Sequence, residues 1–122
     1  MKTSDLTGKA LDWAVTKCEE PCGGYKPWVQ SDLDKGIIHG MNYSTDWLWG
    51  GPIIERERIQ LTTDSLWIAS SPKAIEIGGY RKYCFNSGPT PLIAAMRCYC
   101  CAKLGDEIEI PQELLQCQQP NP

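Results

Sequence analysis

Residues 90–105 read TPLIAAMRCYCCAKLG, and few conformations suit that stretch. Thr90 supplies a side-chain oxygen for a helix N-cap. Pro91 falls at the first helical position, where its missing N–H loses nothing. Gly105 suits the left-handed stop. Between them Leu92, Ile93, Met96, Tyr99, Cys100 and Leu104 recur at helical spacing and predict one buried face. A helix this apolar must be covered, so the rest of the chain has to supply its cover.

An N-terminal helix supplies part of it. In LTGKALDWAVTKCEE, Thr7 is the cap, Leu6 and Leu11 form a hydrophobic staple, and Ala10, Leu11, Ala14, Val15 and Cys18 form a stripe with Trp13 at its edge. Pro21 and Gly23-Gly24 end it. From Tyr25 to Phe85 the pattern changes to short apolar bursts between turn residues: PWVQ, GIIHG, RIQL, LWIAS, AIEIGG and YRKYCF. RIQLTTDSLWIAS predicts a hairpin turning at Thr62 to Ser65, and Ala74 to Ile77 predicts a half-buried strand. DEIEIP predicts a short extended segment, and PQELLQ a further helical turn. The expected fold class is α+β, a small antiparallel sheet of short strands packed by an N-terminal and a C-terminal helix. With 122 residues, one domain over 1–117 with a frayed tail at 118–122 is expected.

Several function classes drop out. The net charge of −3 provides no clustered basic surface for duplex nucleic acid. No apolar run is long enough to span a membrane, and the N-terminus lacks a signal-peptide core, which predicts an intracellular protein. The odd cysteine count, seven, argues for reduced thiols rather than a disulfide framework. Cys18-x3-Cys22 and Cys98-x-Cys100-Cys101 lack paired CxxC spacing, so no metal or cofactor is expected. Asp46, Glu55 and Glu57 read as surface carboxylates paired with Arg56 and Arg58 rather than a cation site. His39 is the sole histidine, and no spacing builds a catalytic dyad or triad around it.

YSTDWLWGGPIIERE, residues 43–57, is the richest stretch for binding. It reads as loop-like, because Gly50-Gly51-Pro52 opposes a core strand, but GGPIIERER is ambiguous: Pro52 suits the first position of a helical turn, and Ile53-Ile54 equally suit the opening of a strand. Tyr43, Trp47 and Trp49 offer ring faces, Gly50 and Gly51 allow close approach, and Asp46 and Arg56 offer polar contacts. SGPTP leads into the second helix, where Thr90 and the first amides make an anion site, with Arg97 beyond it. Arg97 also reads as an ion-pair partner for Asp106 or Glu107. If loop and helix start converge, they hold a planar anion.

The blocks LTGKALDWAVTKCE, STDWLWGGPIIERERI and SGPTPLIAAMRCYCCAKLGDEIEIP, in this order, resemble the NinX-like phage proteins and cover over half the chain. The resemblance implies a small phage accessory protein acting in the cytoplasm of the infected bacterial host. It implies no catalytic residues. Together with the aromatic stretch, it leads to the expectation of a non-catalytic protein that binds and sequesters a nucleotide-like small ligand. The alternative is an interaction module that inhibits or redirects a host protein. Homodimer formation would complete a shallow pocket in either case.

Overall fold

The computed structural model describes residues 1–19, 42–77 and 79–111, with the backbone alone for 73–77 and 80–82. The expected strands PWVQ and GIIHG, the helix stop at Pro21, His39, Cys22, Cys117, the PQELLQ turn and the tail lie outside the described residues. A 3-10 turn, Thr3–Asp5, leads into helix α1, Gly8–Glu19. Helix α2 covers Trp47–Glu57, and strands β1, Gln60–Thr63, β2, Trp67–Ile77, and β3, Tyr80–Gly88, precede helix α3, Pro91–Leu104. The class is α+β: three helices and a three-stranded antiparallel sheet in the order β1-β2-β3 among the described residues.

Helix α3 is the centre of the molecule. It meets β2 and β3 on one side and α1, α2 and the N-terminal turn on others. Ala94, Ala95, Met96, Cys98, Tyr99, Cys100 and Cys101 are all buried, so the helix is enclosed nearly all round rather than on one face. Its small residues explain this, because alanine and cysteine let neighbours approach on every side. The caps are as expected at both ends: Thr90 accepts from the Ile93 N–H, and Gly105, at φ 89°, donates to the Cys101 carbonyl. The α1 stripe is buried too, and Trp13, at 3% exposure, lies inside rather than at an edge.

Among the described residues the sheet has fewer and longer strands than the apolar bursts there suggest. The WIAS and AIEI portions of two of these bursts belong to one strand, β2, which carries a register shift between Ser70 and Ala74. Pro72 lies in that shift, where a residue without an N–H costs the ladder nothing. The β1–β2 turn occupies Asp64–Leu66, and Thr63 pairs with Trp67, so the turn begins later than Thr62. The segment after α3 is extended as expected. It pairs with the N-terminus through Lys2 and Glu107, and Met1 and Ile108 exchange backbone hydrogen bonds of 3.0 and 2.9 Å.

The WLWGGPIIERE stretch is a helix, not a loop. Asp46 caps it, accepting from the Leu48 N–H at 2.9 Å, and Arg58 closes it in the left-handed region at φ 55°. Pro52 lies in its interior instead of at its first position. Glycine at 50 is required by packing: a Cβ there would collide with the Tyr43 carbonyl and with Leu92 Cδ2 at 2.7 Å. The fit against α3 outweighs the poor helix propensity of two glycines and a proline. Among the described residues, no helix is long and apolar enough to cross a membrane.

Candidate functional site

The start of α2 and the start of α3 face each other across a groove of about 370 Å³, lined by Ser44, Thr45, Trp47 and Thr90–Ile93. The Gly50–Leu92 contact brings the two helices this close. Trp47 is 52% exposed, and its neighbours Leu48 and Trp49 are 74% and 38% exposed. Tyr43 is buried and packs edge-on against Trp49, with ring centroids 6.0 Å apart at 72°. Its hydroxyl pKa is pushed up to about 12, mainly by burial. Tyr43 therefore packs against Trp49 and, being buried, offers no ring face to a ligand.

The polar end of the groove rests on a buried carboxylate. Asp12, on α1, accepts from the Ser44 N–H at 2.8 Å and fixes the turn before α2. Burial raises the Asp12 pKa, and the contacts with Ser44 partly oppose that. The Ser44 hydroxyl lies beside this carboxylate but makes no hydrogen bond of good geometry. Across the groove, the start of α3 offers fewer donors than a bare helix end. Pro91 has no N–H, the Ile93 N–H is bound to the Thr90 hydroxyl at 3.2 Å, and the Ala94 N–H is bound to the Thr90 carbonyl at 3.1 Å. Of the first four amides, that leaves Leu92 for a ligand.

The two arginines do not join the groove. Arg56 donates to Glu19 at 2.7 and 3.2 Å, to Glu57 at 2.9 Å and to the Tyr99 hydroxyl at 3.0 Å. Hydrogen bonding to Glu19 raises its pKa further, and the Tyr99 hydroxyl, which donates to Glu19 at 2.7 Å, is raised chiefly by burial. Arg97 donates to the carbonyls of Leu6 at 2.7 Å and Ser87 at 2.8 Å, and burial lowers its pKa. Its partners are main-chain carbonyls rather than Asp106 or Glu107. Asp46 is spent as a cap and Gly50 as a contact point, while Gly51 has only Trp47 Cε3 near its missing Cβ, at 3.6 Å.

The remaining chemistry is quiet. The described cysteines Cys18, Cys84, Cys98, Cys100 and Cys101 are buried and free. Burial pushes Cys84 and Cys98 up to about 12, so both are protonated thiols at neutral pH. Among the described residues, no group of three His, Cys, Asp or Glu side chains is placed to hold a metal ion. Sequence reasoning overlooked Asp12, Ser44 and Leu48. For Asp12 the signal was faint but present, an acidic residue between Leu11 and Trp13 on the buried side of α1.

Among curated proteins none matches the chain. The family model described as Bacteriophage P22, NinX matches residues 2–103, and the chain belongs to that phage family.

Proposed function

We propose that this phage accessory protein acts by binding, without catalysis, and sequesters a planar, nucleotide-derived small molecule in the Trp47 groove. The observation that carries this reading is that Trp47 and Thr90, 43 positions apart in sequence, line one hollow of about 370 Å³. Ligand sites of about 300–1,000 Å³ are typically apolar with a few placed polar groups. Here Trp47, Pro91, Leu92 and Ile93 give the apolar walls, and Thr45 and Thr90 give hydroxyls. Stacking on an exposed indole contributes about 1–3 kcal/mol per base and tolerates any base. With Arg56 and Arg97 bound elsewhere, the ligand's charged part lies at the open mouth, near the Leu92 amide.

A second reading, docking of a host protein, is favoured by Leu48, whose 74% exposure beside Trp47 and Trp49 suits an interface anchor. Melting with a panel of mono-, di- and cyclic nucleotides separates the two. A bound nucleotide at about 100 times its Kd stabilises the fold by about 2.7 kcal/mol, and Trp47→Ala removes that gain. If no nucleotide moves Tm while Leu48→Ser and Trp47→Ala abolish stoichiometric capture of a host protein, the second reading stands instead.

A further inference from the structure

A second hollow, of about 550 Å³, shares no residue with the Trp47 groove. One wall is residues 83–86 of β3; the other is Lys2–Ser4 with Cys101, Asp106 and Glu107. β3 pairs with β2 on one side, and among the described residues no strand pairs with its other edge. The Ser87 carbonyl is taken by Arg97, which also holds the Leu6 carbonyl. The Cys84 carbonyl is engaged by the Cys98 thiol at 3.4 Å. By strand alternation, the main-chain groups of Tyr83 and Phe85 share the direction of Ser87, toward the edge that no described strand pairs.

The side chains sharpen the picture. Tyr83 and Phe85 are 46% and 68% exposed, an aromatic pair two residues apart on one face of an edge strand. Unprotected edges of this kind pair with another chain unless something blocks them. Asn86, 7% exposed, lines the hollow, and its amide nitrogen has no hydrogen-bond partner among the described residues. A buried donor left unmade is unfavourable, so an incoming acceptor is rewarded there. Glu107 is exposed on the far wall beside Asp106, and among the described residues Lys2 is the one cation lining the hollow.

We propose that an extended, basic peptide segment of a partner protein binds in this hollow as an added strand along β3. Its main chain pairs with Tyr83 and Phe85, a carbonyl or side-chain acceptor takes the Asn86 amide, and a Lys or Arg faces Glu107. A second copy of this chain suits the site less, because it would bring its own Asp106 and Glu107 to the same acidic wall. The proposal is independent of the Trp47 groove.

The test uses the full chain, labelled with ¹⁵N, and an acetylated, amidated hexapeptide alternating lysine and valine. Saturable shifts of the Tyr83, Phe85 and Asn86 amides are expected, including the Asn86 side chain. The same peptide with alternate backbone amides methylated should not bind. A glutamate–valine analogue should bind about fivefold more weakly, and Glu107→Gln should weaken the lysine peptide about twofold with Tm nearly unchanged. The proposal is overturned if millimolar peptide gives no saturable shift, in which case Asn86 holds only water. Equal binding of the methylated peptide, shifts confined to the Trp47 groove, or a dimer joined through Phe85 would also overturn it.

Discussion

The two ends of helix α2 carry different residue types and do opposite things. At its start, Trp47, Leu48 and Trp49 stand in solvent beside an open groove. At its end, Arg56 is locked to Glu19, Glu57 and Tyr99. In the linear sequence the tryptophan and the arginine look like halves of one site. On a helix, nine residues amount to a rise of about 14 Å and a rotation that leaves them on opposite faces. The chain thus separates adhesive surface from structural clamp along a single element, and closeness in sequence misleads once the segment is helical.

Five substitutions would break or sharpen that contrast. The largest effect is expected where the two ends join. Gly50→Ala forces a methyl into the Tyr43 carbonyl and Leu92, and should destabilise by about 1–3 kcal/mol in denaturant melts. Gly51→Ala, with only Trp47 Cε3 at 3.6 Å, should be neutral or stabilise by up to about 1 kcal/mol through helix propensity. Equal losses at both positions would remove the packing explanation for the double glycine.

The clamp comes next. Tyr99→Phe deletes the hydroxyl that bridges Arg56 and Glu19, and should lower stability by about 1–2 kcal/mol while leaving the groove unaffected. A smaller effect is expected in the pH profile. Burial raises the Asp12 pKa above 3.8, so the folded state holds a proton that the unfolded chain releases. Stability is therefore complete below pH 3.8 as far as Asp12 is concerned, and its contribution falls as pH rises through the raised folded pKa. Asp12→Asn should flatten that slope in urea midpoints measured across acidic pH, and an unchanged slope would refute it. The smallest effect is at the exposed end: Trp47→Ala should change unfolding free energy by less than about 0.5 kcal/mol, as expected for a surface position.

The sequence revealed the local signals and hid the long-range ones. Thr90, Pro91 and Gly105 bracket α3 because capping is chemistry within one turn. The α+β class followed from helical spacing at both ends and short strand-like bursts between them. Helix α2 was not legible, because its two glycines and proline are tolerated only through contact with Tyr43 and Leu92. The unity of β2 was hidden by Pro72, whose bulge interrupts the pattern without ending the strand. The meeting of Trp47 with Thr90 could be stated only as a condition, whereas the capture of Arg56 by Glu19, 37 residues away, gave no local sign. The same holds for Asp12, whose partner Ser44 is 32 residues distant.

The contrast between the two ends of α2 is tested most directly by a ¹⁵N chemical-shift footprint of whichever nucleotide or host protein binds. The account predicts saturable shifts at Ser44, Thr45, the Trp47 indole and Leu92–Ile93, with the Arg56 and Tyr99 resonances still. A footprint centred on Arg56, or a bound ligand that leaves the Trp47 indole unmoved, would contradict it.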